Sequence, residues 1–142
     1  MRRSPQSAFT LIELMVVVAV LSIIASIAIP KFANMLVKTR ESVVKSSLGA
    51  LRSALSIYYS DNEGYFPGVG DLAAALSSGG RYIKEIPPSQ IPAPANHPST
   101  ASVTDFAGAY TDLGDWMYFV SSGAITVNCT HLDSVGRVWN TN

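Results

Sequence analysis

The chain has 142 residues, of which 48% are hydrophobic and 14% charged, and its ten basic and ten acidic side chains leave no net charge. A chain of this length suits one modest domain with an anchoring segment. The balanced charge predicts no nucleic-acid partner.

The first element in the chain is an apolar segment from Phe9 to Ile29, in which Glu13 is the one charged residue. A helix of that length is about 30 Å long, which matches the hydrocarbon core of a bilayer. A helix satisfies its own backbone hydrogen bonds, so a single segment of this kind can cross lipid. The segment is therefore predicted to insert into a membrane, behind a short basic leader over residues 1–8.

Glu13 lies about one turn inside this apolar segment. An ionised carboxylate in hydrocarbon costs about 2.5–3.5 kcal/mol, so its side chain is expected to have a partner. The alternative interpretation places Glu13 at the level of the lipid headgroups, or in its protonated form.

The sequence AFTLIE at residues 8–13, followed by the apolar segment and Pro30, resembles the leader and N-terminal helix of type IV pilins and type II secretion pseudopilins. The resemblance implies that a prepilin peptidase cuts between Ala8 and Phe9, and that the new amino terminus at Phe9 is methylated. It also implies that Glu13 serves subunit assembly, by neutralising the terminal amine of a neighbouring subunit. The family usually has glycine before the cut, where this chain has Ala8.

The helix is predicted to continue beyond the membrane segment. Pro30 lacks a backbone donor and crowds the preceding turn, so it predicts a helix kink. Apolar residues then recur at helical spacing and predict an amphipathic helix over 31–63, with Gly64 as a left-handed cap. This stripe consists of Val37, Val44, Leu48, Leu51, Leu55 and Tyr58. A long coiled coil is the competing interpretation, but charges do not flank the stripe in a sustained heptad pattern.

Residues 64–112 are predicted to form a variable loop region. A short helix within it is expected to follow Asp71, which can cap its first turn. From Pro87 to about Asp112 the chain is rich in Pro, Ser, Ala and Thr and lacks clear periodicity. This composition predicts an extended surface loop.

Residues 113–142 are predicted to form a small antiparallel sheet. The strands are expected at 115–120 and 124–128, joined by a hairpin loop with Gly123 in the left-handed conformation, and a third strand is expected at 137–139. The sheet is expected to pack on the helix stripe. The predicted fold class is therefore α+β, with a long N-terminal helix packed against a small C-terminal antiparallel sheet, as in pilins.

The sequence contains no motif that predicts catalysis, a metal site or a cofactor. His97 and His131 are isolated and lack metal-ligand spacing. Calcium binding by Asp112, Asp115 and Asp133 stays open, although their spacing matches no calcium motif and solvated surface carboxylates are the favoured interpretation. The lone cysteine, Cys129, cannot form an intramolecular disulfide.

Two classes of function remain. The favoured one, implied by the resemblance, is a structural subunit of a type IV pilus or type II secretion pseudopilus that polymerises through its N-terminal helix. Its partners would be identical or related subunits, the prepilin peptidase, an inner-membrane assembly platform and the lipid bilayer. Residues 9–30 would form the membrane or filament-core half of the helix, and 31–142 a periplasmic or extracellular head. The alternative is a monomeric module, anchored in the membrane, that presents its head to a ligand.

Overall fold

The computed structural model of the protein describes residues 9–141. Within this range, two helices, α1 (Leu11–Asp61) and α2 (Leu72–Ser77), precede three short strands, β1 (Val103–Asp105), β2 (Trp116–Phe119) and β3 (Ala124–Val127). Single turns of 3-10 helix cover Ser78–Gly80 and Trp139–Thr141. The chain divides into two compact units between Leu36 and Val37. The predicted α+β class, with a long N-terminal helix and a small sheet, is confirmed.

Helix α1 ends close to the predicted position. The chain leaves it at Gly64, whose φ of +84° lies in the left-handed region and whose N–H donates to the Tyr59 carbonyl at 3.0 Å. Glycine takes this conformation without the steric penalty that a Cβ atom brings. The predicted left-handed turn at Gly64 is therefore confirmed, and Glu63, with a φ of +54°, shares it.

In the first unit, among the described residues 9–36, the apolar part of α1 is exposed. An 18-residue window of this helix reaches a mean hydropathy of 2.7, and none of that window is buried within the chain. By length and composition, α1 is the one helix in the described part of the chain that could cross a membrane. Apolar side chains so exposed call for a lipid or protein environment to cover them.

The core of the second unit forms where α1 meets the sheet and α2. The helix contributes a stripe at the predicted spacing, and the sheet contributes inward-facing aromatic and β-branched residues. The buried stripe consists of Val44, Leu48, Leu51, Ala54 and Leu55, with Tyr58 partly buried beside it. Burying one such Leu or Val stabilises the fold by about 1.5–3 kcal/mol. The predicted amphipathic face is thus confirmed from Val44 to Tyr58, whereas Val37 is only partly buried and lies outside this core.

The sheet is mixed rather than purely antiparallel, which corrects one detail of the prediction. Strand β2 lies in the centre, pairs antiparallel with β3 in the predicted hairpin, and pairs parallel with β1. The third strand is Val103–Asp105, inside the region predicted as loop, and not 137–139. A three-residue strand carries too little alternation to stand out from its surroundings. Val138 pairs with Leu132 in an isolated bridge, and the chain then turns into a 3-10 helix.

Candidate functional site

The amino-terminal turn of α1 is capped by Thr10 and Glu13. The Glu13 carboxylate accepts hydrogen bonds from the Thr10 backbone N–H at 2.8 Å and from the Thr10 hydroxyl at 2.7 Å. In return, the Thr10 hydroxyl accepts one from the Glu13 N–H at 3.3 Å. This is a capping box, in which two backbone donors that the helix leaves unpaired are satisfied reciprocally. A negative charge here also interacts favourably with the helix dipole.

A partner is expected for the Glu13 carboxylate, and within the described chain that partner is Thr10. The Thr-x-x-Glu spacing is a sequence signature of this cap, and it predicts a contact that the charge alone does not. The side chain remains exposed in the described chain, so the cap leaves the carboxylate accessible to a second partner.

Of the other residues named for processing and the kink, Phe9 immediately precedes this turn and Pro30 lies further along α1. Ala8 falls outside the described residues, and Phe9 is exposed at the start of the described chain. Cleavage between Ala8 and Phe9 and methylation of Phe9 stay predictions. Pro30 lies inside α1, which is assigned as one uninterrupted helix, and its kink also stays a prediction.

Of the three aspartates considered for calcium, two are buried, which corrects the expectation of solvated carboxylates. Asp115 accepts hydrogen bonds from the Asn128 amide at 2.6 Å and from the Thr104 hydroxyl. Asp133 lies 2.6 Å from the Lys45 ammonium. The two carboxylates thus have separate protein partners, and each serves to hold the fold of the second unit.

Asp133 belongs to a polar connection between α1 and the turn after His131. Burial by itself raises the pKa of Asp133, but hydrogen bonds from Lys45 and from two backbone N–H groups outweigh it and hold the pKa below its ordinary value. Glu41 lies one turn before Lys45 in α1 and is also buried. Its carboxylate accepts hydrogen bonds from the Ser134 N–H at 2.7 Å and from the Ser134 hydroxyl at 2.5 Å. Sequence spacing gives no sign of these pairs, because their members lie 88 and 93 residues apart.

A second cluster joins His97, Cys129 and His131. The Cys129 sulfur lies 3.4 Å from Nε2 of His97 and 3.3 Å from Nδ1 of His131. Burial raises the pKa of the Cys129 thiol. The prediction that the two histidines are isolated is therefore wrong in the folded chain, since the fold brings together residues that are 32 positions apart.

Asp112 lies beside this cluster, with its Oδ1 atom 3.8 Å from Nδ1 of His131. The Thr130 hydroxyl bonds to both of its carboxylate oxygens, at 3.0 and 2.9 Å. A further hydrogen bond from the Thr130 backbone N–H is the main cause that lowers the pKa of Asp112. The carboxylate is thus ionised and fixed at the edge of the cluster.

Comparison with known proteins gives a family match at the start of the chain. Residues 3–29 match the model described as the prokaryotic N-terminal methylation motif. This segment includes the capping box and most of the exposed apolar helix. No solved structure matches the chain at a significant level.

Several curated proteins are similar to the chain. The type IV major pilin protein PilA of Myxococcus xanthus is 39% identical over 74 residues, which cover 52% of this chain and 34% of that protein. The fimbrial protein EcpC of Eikenella corrodens is 34% identical over 87 residues, covering 61% of this chain and 56% of that protein. The chain thus spans about a third to a half of the length of these relatives.

A longer match extends over the second unit. The type II secretion system core protein G of Aeromonas hydrophila is 29% identical over an alignment of 137 positions, gaps included, which covers 82% of this chain and 96% of that protein. The similarity therefore extends beyond the apolar helix and into the second unit.

Proposed function

We propose that the chain, which is similar to type IV pilins and to a type II secretion system core protein, is a structural subunit of that family and polymerises through helix α1 into a pilus or pseudopilus. Subunits of this family are structural proteins and not enzymes. The observation that carries the proposal is the exposed apolar helix within residues 9–36, which needs a partner to cover it.

The proposed path begins in the bacterial inner membrane. A prepilin peptidase cuts the leader of residues 1–8 between Ala8 and Phe9, and the new terminus at Phe9 is methylated. Residues 9–30 then span the bilayer as part of a single-pass protein, with residues 31–142 on the periplasmic side. An apolar helix about 30 Å long fits this environment without unsatisfied backbone groups.

Assembly moves the same segment from lipid into the centre of a filament. An assembly platform in the inner membrane extracts the subunit, and its apolar helix packs against the helices of identical or related subunits. Dispersion supplies much of the cohesion between such helices in both environments. The heads then cover the outside of a periplasmic pseudopilus or a surface pilus.

Glu13 supplies what apolar packing does not, namely a fixed axial position. Apolar helices tolerate sliding along one another, whereas a charge pair in a low dielectric is strongly favoured over an unpaired charge. The carboxylate would pair with the terminal ammonium of a neighbouring subunit. Thr10 gives it hydrogen-bond donors before that partner arrives, which reduces the cost of carrying the charge in the free subunit.

The test is to find where the protein resides in its native host. Cells are sheared, and the released fraction and the membranes are examined by immunoblotting and electron microscopy with antibodies against residues 31–142. Labelled fibres at the surface, or fibres in the periplasm on overproduction, would support the proposal. A host that lacks its prepilin peptidase is the control and should retain the protein in the membrane.

A protein found only as a membrane-retained monomer in the wild-type host would overturn the proposal. That result would favour the alternative function, a membrane-anchored module that presents its head to a ligand.

A further inference from the structure

The chain contains two histidines and one cysteine, and all three meet at one place. The possible ligand atoms of His97, Cys129 and His131 lie within 4.8 Å of one another. The Cys129 thiol can donate to one of the two ring nitrogens that face it and accept from the other, depending on the tautomer of each ring. A cation would instead interact favourably with all three atoms at once.

The distances fit a tetrahedral zinc ion. With Zn–S near 2.3 Å and Zn–N near 2.0–2.1 Å, a tetrahedral site places sulfur and nitrogen about 3.5 Å apart. The two sulfur-to-nitrogen distances in the cluster are 3.4 and 3.3 Å. The sulfur and either nitrogen therefore already have the spacing of two zinc ligands, and the two nitrogens, which lie within 4.8 Å of each other, would reach about 3.3 Å in a tetrahedral site.

The backbone around the cluster holds the ligands in place. Cys129 donates its N–H to the Val127 carbonyl at 2.9 Å, and its own carbonyl accepts the Asn140 N–H at 3.1 Å. On the other side, a Cβ atom added at Gly114 would lie 2.3 Å from Cβ of His97, so the histidine rests directly on the glycine backbone. Preorganisation of this kind reduces the entropy lost when a ligand binds.

We propose that His97, Cys129 and His131 bind a Zn²⁺ ion, with a fourth coordination position left for water or a carboxylate. Thiolate and imidazole are ligands that suit zinc, whereas Ca²⁺ takes oxygen ligands. The ionised carboxylate of Asp112, 3.8 Å from Nδ1 of His131, adds a negative charge beside the site. This inference concerns the second unit alone and does not depend on filament assembly.

The ion would fasten two distant parts of the second unit. His97 lies in the loop that leads from α2 to β1, and the other two ligands follow β3 directly. A chain with a single cysteine has no intramolecular disulfide to close this loop, and a metal bridge would restrict it in a comparable way.

The test uses the full chain in detergent, purified without a histidine tag, reduced, and freed of metal by a chelator. Zn²⁺ binding is measured by calorimetry. Co²⁺ is then used as a spectroscopic probe, because thiolate coordination gives a sulfur-to-cobalt charge-transfer band and tetrahedral geometry gives intense visible bands. We expect one Zn²⁺ per chain, and a Co²⁺ complex that shows both features and is displaced by Zn²⁺.

His131→Ala is the decisive variant, because the His131 side chain is half exposed and its removal leaves the core intact. It should weaken Zn²⁺ binding by about 100-fold or more, since even residues outside the ligand set cost 10- to 100-fold. Leu132→Ala removes an equally exposed neighbour and should bind as the wild type does. Cys129→Ser should abolish the charge-transfer band.

Three results would overturn the proposal. The first is no stoichiometric Zn²⁺ binding by the wild-type chain. The second is binding that His131→Ala leaves unchanged, which would place the ion elsewhere. The third is a Co²⁺ complex without the thiolate band.

Discussion

The Glu13 carboxylate lies 2.7 Å from the Thr10 hydroxyl and caps the first turn of helix α1. The same carboxylate is the group proposed to pair with a neighbouring terminal amine, so a local cap and an assembly contact share one side chain. The two roles can be separated by mutation. The change Glu13→Gln preserves the capping box and removes the charge. A change at Thr10 that removes its hydroxyl weakens the capping box and keeps the charge of Glu13.

Glu13→Gln should abolish filaments while leaving the membrane pool intact. The amide keeps the size and hydrogen bonding of the side chain, and insertion becomes no harder because a charge has been removed. In the filament, however, the substitution leaves the terminal ammonium of the neighbouring subunit without a counter-charge in a low dielectric, which is unfavourable. Immunoblots of sheared and membrane fractions, from cells with this variant as their only subunit, measure the effect.

Thr10→Val is the matched control for the cap. It removes the hydroxyl and costs about 0.5–2 kcal/mol of helix stability, yet it keeps the Glu13 charge. Filaments should persist, at somewhat reduced yield. A wild-type yield with Glu13→Gln, or an equal loss with Thr10→Val, would mean that the charge does not fix the register of assembly.

The mature chain should begin at Phe9. Mass spectrometry of protein from the native host should show cleavage after Ala8 and a mass increase for one methyl group on the amino-terminal fragment. Alanine is small enough to replace the usual glycine before the cut. Assembled protein that still carries Met1 would contradict this prediction.

A fragment that begins at Lys31 should be soluble and folded without detergent. The reason is that the apolar stripe of α1 and the inner face of the sheet cover each other within the second unit. Size-exclusion chromatography and near-ultraviolet circular dichroism check this. A fragment that aggregates, or that binds hydrophobic dyes as a molten globule does, would count against this division of the chain.

Lys45→Met should destabilise the second unit. The change leaves the fully buried Asp133 carboxylate without the ammonium at 2.6 Å, although backbone N–H groups still donate to it. We expect a loss of about 1–3 kcal/mol in the free energy of unfolding. Urea unfolding of the full chain in detergent measures it by tryptophan fluorescence, since Trp116 and Trp139 both lie buried in this unit.

Lys38→Met is the control on the same helix, because Lys38 is exposed. It should change the free energy of unfolding by no more than about 0.5 kcal/mol. If the two variants lose the same stability, the ion pair with Asp133 is not a significant support of the fold.

Helix α1 and its buried stripe could be predicted because their signals are local. The spacing from Val44 to Leu55 repeats with the period of a helix, and Gly64 marks the end. The capping box could also be predicted from the sequence, since Thr10 and Glu13 are three residues apart. A structural element that is determined by residues within one or two helical turns of each other can be predicted from the sequence in this way.

The remaining features depend on contacts between distant residues. Glu41 and Lys45 have the composition of a solvated helix face, and only the fold brings them to Ser134 and Asp133. The approach of His97 to Cys129 depends in the same way on the path of a loop that has no periodicity. No pattern in a single sequence encodes which loop residue meets which strand end.

Tyr118 should make the stability of the second unit fall at high pH. Its hydroxyl is buried and donates to the Pro67 carbonyl at 3.0 Å. Burial first, and then the nearby groups Tyr58 and Asp105, raise the pKa of Tyr118 to about 12. The folded chain therefore keeps the phenol neutral over a range where the unfolded chain, with a pKa of about 10, ionises it.

The neutral phenol thus contributes to the free energy of unfolding, and this contribution is fully present below about pH 10. It is lost as the pH rises toward 12, and the loss is at most about 2–3 kcal/mol. Tyr118→Phe should be less stable near neutral pH, because it leaves the Pro67 carbonyl without this donor. It should also lose less stability on alkalisation than the wild type, since the other tyrosines and the lysines titrate in both chains. Urea unfolding at a series of pH values compares the two slopes. Parallel curves would show that Tyr118 ionises alike in the folded and unfolded chains, against the burial that the structure gives it.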